Sequence, residues 1–248
     1  MGSTPSIGTN LQNLAMIKSA HTGRFFIYAV AITLLVAMDV PGRAQDEKAL
    51  TAKVVRVKGD ARYSTDHKTW QALKTGQILS AGAYVQTAKS GASVDIQIGA
   101  LAKTGSDDSR SKSTGDGNLI SLQEDTLVVL TKLSARGTGV DHTEETSVEL
   151  QRGRVLGVVR NFTGGSRFAV SFSTGVAGMV GEVEDSHGTV FVVDYTGSLK
   201  VLSGRLAVAI ASENTTAQVV AGSQQFDPAT GKIIDLPADA PEKKLWPR

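Results

Sequence analysis

The chain has 248 residues, and 26 Lys and Arg against 24 Asp and Glu give it a formal net charge of +2. With 41% hydrophobic residues and 26 glycines, it has the composition of a folded protein, which excludes collagen-like, coiled-coil and disordered chains. The absence of cysteine excludes disulfide frameworks, cysteine-ligated zinc and thiol catalysis. The balanced charge argues against nucleic acid as a partner, because phosphate binding needs a clustered excess of Lys and Arg.

Residues 1–44 have the pattern of an export signal. The uncharged stretch Phe25–Met38 is too short to cross a bilayer core of about 30 Å comfortably, and Lys18 and Arg24 precede it. Gly42 and Ala44 are small residues at the two positions that signal peptidase recognises. We therefore predict cleavage after Ala44 and a periplasmic or secreted protein. Met16 is a second possible start of translation. The alternative is an uncleaved helical anchor in the inner membrane, and contact with a membrane is expected only in that case.

From residue 52 onward the sequence predicts strands. Ser93–Ile98 and Arg205–Ile210 alternate polar and apolar residues, which places successive side chains on opposite faces of a strand. Three short β-branched runs predict strands that are buried on both faces: Val54–Val57, Leu127–Leu130 and Val190–Val193. We therefore predict an all-β fold, either a β-sandwich or a solenoid-like stack of short antiparallel strands, preceded by the helical signal or anchor segment.

One local motif recurs three times in the predicted β region. A strand is followed by a glycine, one polar residue and another strand, and the glycines are Gly59, Gly153 and Gly204. A glycine at this place supplies the positive φ that tight hairpin turns require. We therefore predict that each of the three glycines joins the two strands of a hairpin.

Two segments differ in composition from the β domain, which we assign to residues 45–236. Residues 99–118 are rich in Gly, Ser, Asp and Lys, and we interpret them as a flexible insertion. The spacing of Asp107, Asp108, Asp116 and Asn118 does not match a calcium-binding loop. Residues 237–248 resemble a linker, in which Trp246 either docks on the body or stays free.

The sequence contains few candidates for catalysis or metal binding. The four histidines lie far apart: His21, His67, His142 and His187. None has the spacing that places two metal ligands on one helix face. We therefore predict no catalytic residue, no metal, no cofactor and no enzymatic activity. A glycosidase that uses Glu182 and Glu184, beside Asp185 and His187, is the remaining enzyme hypothesis, but we interpret this cluster as a solvated turn.

Most aromatic residues are predicted to lie in the core. Phe168 and Phe172 flank Val170 in an alternating pattern, which favours a buried face over a platform for bases or sugars. We interpret Arg154 and Arg205, each directly after a glycine turn, as solvated. The alternative is that they border a ligand groove.

The order of these segments resembles the FecR domain over roughly Ala52–Phe226. The most recognisable stretch is Thr174–Gly181, in which Val180 and Glu182 stand where family members usually have Arg and Thr. We assign structural roles to the motif residues that match: Gly59, Trp70, Gly76, Gly82, Gly153, Gly175, Val176, Ala177, Gly178 and Gly181.

This resemblance implies an exported, non-catalytic module that senses, scaffolds or binds in the cell envelope. Its partner would be another envelope protein or a polymer, recognised through strand edges or loop surfaces. The better-known relatives are inner-membrane regulators with a cytoplasmic segment that contacts a sigma factor. At most 24 residues precede the apolar stretch of this chain, which is too few for such a domain. A single-span, membrane-anchored signalling regulator is nevertheless the alternative function.

Overall fold

A computed structural model describes residues 47–99, 117–137, 142–160, 162, 164–179, 188–211 and 217–244, all within one unit of the chain. In chain order its strands are β1 Lys48–Ala49, β2 Thr51–Lys58, β3 Ala61–Ser64, β4 Gln71–Ala72, β5 Ile78–Leu79, β6 Tyr84–Thr87, β7 Ser93–Gly99, β8 Asn118–Leu122, β9 Leu127–Arg136, β10 Thr143–Arg152, β11 Arg154–Val159, β12 Arg167–Phe172, β13 Gly175–Met179, β14 Thr189–Asp194, β15 Leu199–Ser203, β16 Arg205–Ile210, β17 Gln218–Ala221, β18 Gln224–Asp227 and β19 Lys232–Asp235. The fold is all-β, as the alternating pattern predicts.

The strands form two sheets. The first sheet has the order β17-β16-β13-β12-β10-β9-β6-β3-β4, and β1 pairs with the C-terminal half of β9. The second sheet has the order β19-β18-β15-β14-β11-β8-β7-β2-β5. The ladders are antiparallel apart from that between β10 and β12, which is parallel because the intervening β11 crosses to the second sheet. The two sheets are therefore predominantly antiparallel, as predicted, with this one parallel ladder.

The inner faces of the two sheets share one hydrophobic core, so the described part of the chain is a β-sandwich. Phe168 of the first sheet and Phe191 of the second lie with ring centroids 5.9 Å apart and ring planes at 67°. This edge-to-face geometry is favoured by the aromatic quadrupole. Both rings are buried, as are Phe172 and Phe226, which confirms the core assignment for these phenylalanines.

The prediction of strands buried on both faces is right for β14 and wrong for β2. Val190 and Val192 of β14 point away from the shared core, and they are buried in a second apolar cluster with Leu156 and Val158 of β11. In β2, by contrast, Val55 is 38% exposed and Arg56 faces solvent. β14 lies in the middle of its sheet, whereas β2 lies next to the edge strand β5.

The recurring glycine turns join the two sheets and are not hairpins. Gly59, Gly153 and Gly204 have φ values of +69°, +83° and +77°, but each lies between a strand of one sheet and a strand of the other. The hairpin prediction is therefore wrong, because a positive φ reverses the chain without specifying which sheet receives the next strand. A Cβ would lie 2.4 Å from Thr126 Oγ1 at Gly153 and 2.1 Å from Thr189 Oγ1 at Gly204. Only glycine fits both crossings.

The segment after β19 packs against the body. Pro241–Lys244 forms a 3-10 helix, and Glu242 is only 3% exposed, with Oε1 2.5 Å from Nζ of Lys200 on β15. This part of the tail therefore differs from the linker that its composition suggested. Within the described ranges, no helix is both long and apolar enough to cross a membrane. The leader, most of the insertion (residues 100–116) and Trp246 lie outside those ranges.

Candidate functional site

The loop between β3 and β4 is shaped by the carboxylate of Asp66. Its Oδ1 accepts hydrogen bonds from the backbone N–H groups of Thr69 and Lys68 at 2.7 and 2.8 Å, and from Ser64 Oγ at 2.9 Å. The backbone hydrogen bonds from Thr69 and Lys68, followed by that from Ser64, hold the pKa of Asp66 well below its usual range. Asp66 therefore gives the loop a defined turn, which places His67 at a φ of +60°.

Four side chains stack on the surface beside this turn, and we call them the stacked cluster: Arg62, His67, Trp70 and Tyr84. The ring of His67 lies parallel to that of Tyr84, with centroids 4.3 Å apart, and meets Trp70 edge-on at 5.9 Å. The guanidinium carbon of Arg62 lies 4.6 Å from the centre of the Trp70 ring. Such cation–π contacts contribute about 0.5–1 kcal/mol at exposed sites. Trp70 and Tyr84 are half-buried surface residues, so they are exceptions to the prediction that most aromatic residues lie in the core.

The strand register explains why these distant residues meet. β3 pairs with β6, so that Arg62 lies opposite Gln86 and Ser64 lies opposite Tyr84. Arg62 Nε donates a hydrogen bond of 2.8 Å to Gln86 Oε1. Since side chains at directly paired positions share a face of the sheet, Arg62, Gln86 and Tyr84 lie on one surface.

A surface groove of about 290 Å³ adjoins the stacked cluster at Arg62. Its polar lining is Asp60, Arg62, Gln86, Thr87, Lys89, Asp125 and Arg152. Arg152 Nε lies 3.1 Å from Asp125 Oδ1 and donates a hydrogen bond of 3.2 Å to the backbone carbonyl of Asp125. Two of the sheet-crossing turns border the groove, because Asp60 follows Gly59 and Arg152 precedes Gly153.

The predicted motif residues are distributed over several places in the sandwich. Gly59 and Gly153 border the groove through their neighbours, and Trp70 belongs to the stacked cluster. Gly76 and Gly82 have positive φ values in the turns that flank β5, with open space around the Cβ position. Gly181 lies outside the described residues.

The motif strand β13 lies away from the groove, between β12 and β16. Gly175 and Ala177 are buried, whereas Val176 and Gly178 are partly exposed. A Cβ at Gly175 would lie 2.3 Å from the carbonyl oxygen of Ala209, so close strand packing requires glycine there. At Gly178 the nearest atom would be 3.4 Å away, which leaves room for a methyl group.

Few of the polar candidates fall within the described ranges. Among the described residues, no group of three or more His, Asp or Glu side chains could hold a metal ion. His142 Nε2 lies 3.2 Å from Glu144 Oε1, and Asn118 Oδ1 accepts a hydrogen bond from the Arg160 N–H. The cluster around His187, with Glu182, Glu184 and Asp185, lies outside the described residues, as do His21, Asp107, Asp108 and Asp116.

The turn arginines do not line the groove. Arg154 Nε lies 2.5 Å from Asp194 Oδ1, and this hydrogen bond raises the pKa of Arg154 above its usual value. Arg205 is exposed at the start of β16. Arg62 and Arg152 occupy the groove instead. The sequence carries a signal for the loop, since Asp66 and Ser64 form a turn-like cluster, but no spacing rule connects Arg62 with Gln86 or Lys89.

The sequence matches no protein-family model, and no curated protein shows significant similarity to it. Among solved structures, similarity is found to the crystal structure of a "putative anti-sigma factor" from Parabacteroides distasonis. The match covers 53% of this chain and 57% of that chain, with 16% sequence identity and a TM-score of 0.36. The chain therefore spans little more than half the length of that protein, and a likeness at this level carries no argument about fold or role.

Proposed function

We propose that this chain is an exported, non-catalytic binding module of the cell envelope, of the FecR-domain type. It binds another envelope protein or polymer through the surface formed by the stacked cluster and the groove. The observation that carries the proposal is the stacked cluster itself. Aromatic and arginine side chains are the residues that contribute most to recognition surfaces, and here they are held in place before any partner arrives.

The resemblance to the FecR domain supports this proposal through the order of its segments. The segments that carry the resemblance fall on successive strands and turns of one sandwich, from β2 and Gly59 to β13. Trp70 is both one of the matching motif residues and the centre of the stacked cluster. This coincidence favours the cluster as the recognition surface over the other loops.

A membrane-anchored signalling regulator is the second candidate, and one observation favours it. Glu47 Oε1 and Oε2 lie 2.7 Å from Lys132 Nζ and 2.9 Å from Arg136 Nη2, so the chain is attached to β9 soon after the apolar stretch. Only residues 39–46 separate Met38 from this attachment, a reach of at most ~28 Å. A retained anchor would therefore be joined to β9 through a short connection.

The first experiment is fractionation of the native host with mass spectrometry of the intact protein. A soluble species that begins at Gln45 supports the exported module. A membrane-bound species that retains Phe25–Met38 contradicts it and favours the regulator.

The second experiment tests the recognition surface by photo-crosslinking in cells. A photoreactive residue replaces Lys68, which is exposed beside the stacked cluster, or Lys232, which is exposed on β19. We expect a defined adduct from position 68 that disappears with Trp70→Ala, and none from position 232. Equal adducts at both positions, or an adduct that persists in the Trp70→Ala variant with an unchanged melting temperature, would contradict the proposal.

A further inference from the structure

Arg62 is held from two directions while its terminal nitrogens stay available. Nε is engaged by Gln86 Oε1 at 2.8 Å, and the face of the guanidinium rests on Trp70. In the part of the chain that the structure describes, no side chain or carbonyl accepts a hydrogen bond from Nη1 or Nη2. An arginine fixed in this way loses little rotamer freedom when it binds an anion.

The other charges of the groove divide into a neutralised pair and two single groups. Arg152 and Asp125 form an ion pair. Lys89 and Asp60 are exposed, and neither forms an ion pair with any residue in the described ranges. The groups available to a ligand are therefore the guanidinium fork of Arg62, the ammonium of Lys89 and the carboxylate of Asp60.

We propose that this groove binds a single carboxylate group, with Arg62 as its bidentate donor and Lys89 as a second cation. Asp60 accepts a hydrogen bond from an N–H group of the same ligand. This inference rests on the proposed function, for which it names the chemistry of the bound group. A peptide C terminus and an acidic side chain are the two sources of such a carboxylate.

Two observations favour a carboxylate over a phosphate. A planar carboxylate matches the two parallel N–H groups of a guanidinium, and the unpaired carboxylate of Asp60 in the same groove opposes a second negative charge. The volume of about 290 Å³ lies at the lower limit for small-molecule pockets. It therefore accommodates the end or one side chain of a larger ligand.

Fluorescence of Trp70 provides a direct test, because the guanidinium of Arg62 lies on its ring. The chain has two tryptophans, so the variant Trp246→Phe makes Trp70 the only reporter. The processed protein purified from cells is titrated with N-acetyl-alanyl-alanine and with its C-terminal amide. We expect a saturable change with the acid, and an affinity for the amide that is at least tenfold weaker.

Variants in the same background identify the groups involved. Arg62→Met, which keeps a long side chain against Trp70, weakens binding of the acid at least tenfold, and Lys89→Met weakens it about threefold. Arg62→Lys keeps the charge without the fork and gives an intermediate affinity. The matched control is Arg56→Met, which leaves the affinity unchanged because Arg56 is an exposed residue of β2 in the second sheet and pairs with Asp95 of the neighbouring β7. Melting temperatures show whether each variant is folded.

Two further probes separate the sources of the carboxylate. N-acetyl-glutamic acid α-amide has its only carboxylate on the side chain, so its binding supports an acidic side chain as the natural ligand. If the dipeptide binds and this amide does not, the natural ligand is a peptide C terminus. Three results would overturn the proposal: equal affinity for acid and amide, an unchanged affinity in the Arg62→Met variant, or tighter binding of inorganic phosphate. If the photoreactive residue at position 68 gives its adduct in cells but no carboxylate binds in the titration, only this inference fails. If a carboxylate binds but position 68 gives no adduct, only the proposed partner surface is contradicted.

Discussion

The two ends of the sandwich each leave one edge of each sheet open, but they protect those edges differently. At the end that carries the stacked cluster, β4 and β5 form the edges and are only two residues long. At the opposite end, β17 and β19 form the edges and are four residues long, with Val219 49% exposed and Ile234 48% exposed. Longer edges offer more backbone for pairing with another chain.

Glutamine side chains occupy part of the longer edges. Gln218 Nε2 donates a hydrogen bond of 3.2 Å to the carbonyl of Gly231, and the Ala221 N–H donates one of 3.0 Å to Gln224 Oε1. These bonds tie β17 to the turn between β18 and β19 and to the start of β18. The comparison teaches that one end has short edges beside polar and aromatic side chains, whereas at the other end glutamine side chains cover only part of the longer edges.

The largest difference in stability is expected between Gly204 and Gly59, which occupy equivalent turns near the two ends, when each is replaced by alanine. Gly204→Ala places a Cβ 2.1 Å from Thr189 Oγ1 at a φ of +77°, and we expect it to lower the free energy of unfolding by ~3 kcal/mol. Gly59→Ala meets Ala92 at 3.1 Å, and we expect a loss of ~1–2 kcal/mol, mostly from its φ. Urea denaturation measures both.

The clash at Gly204 has its own control. Thr189→Ala removes the Oγ1 atom, so the double variant Gly204→Ala with Thr189→Ala should lose less stability than the sum of the two single variants. Strict additivity would show that the Oγ1 atom does not contribute to the clash, and equal losses at Gly59 and Gly204 would contradict the expected ranking of the two sites.

The ion pair of Glu242 should contribute more than an exposed pair at the other end. Glu242→Gln leaves the partly buried Lys200 without its charged partner, and we expect a loss of ~1–2 kcal/mol in the free energy of unfolding. Arg56→Gln breaks the pair with Asp95, in which Arg56 is 62% exposed, and we expect a loss below ~1 kcal/mol. A larger loss at Arg56 would reverse this ranking.

Acid should weaken the loop of the stacked cluster through Asp66. Because its folded pKa is lowered by the Thr69 and Lys68 backbone bonds, the carboxylate stabilises the fold above its unfolded pKa of about 3.9. That contribution is lost as the pH falls from this value through the folded pKa. Asp66→Asn should remove this part of the pH dependence of unfolding between pH 7 and pH 2. Superimposable pH profiles of the two proteins would contradict this prediction.

The smallest effect on stability is expected at the exposed edges. Ile234→Lys on β19 and Ile78→Lys on β5 should each change the free energy of unfolding by less than about 0.5 kcal/mol. Light scattering at high protein concentration should show less self-association for Ile234→Lys, because β19 is the longer edge. An equal reduction from Ile78→Lys would show that strand length does not decide which edge pairs.

The alternating stretches could be recognised as strands from the sequence because period two is a local property of the backbone. β7 and β16 follow from Ser93–Ile98 and Arg205–Ile210, and β14 from the buried run Val190–Val193. The choice of sheet is not local. A glycine with a positive φ fits a hairpin as well as a crossing, and at Gly153 only the pairing of β10 and β11 in different sheets distinguishes the two.

The stacked cluster could be predicted only in part. Ser64 and Asp66 indicate a turn, but Tyr84 and Gln86 reach the same surface through the register of β3 and β6, which depends on packing across the whole sheet. The tail shows the same limit, because the burial of Glu242 depends on Lys200 of β15. Residues far apart in the sequence carry no periodic signal that connects them.

The strand orders have a consequence for how the chain acquires its structure. Both sheets are laid down almost in the order of the chain, from β4 and β5 at one end to β17 and β19 at the other. A polypeptide that emerges amino terminus first can therefore add each new strand to an edge that already exists. Growth in this order would confine the unpaired backbone to the most recent strands and so limit the exposed edge from which aggregation begins.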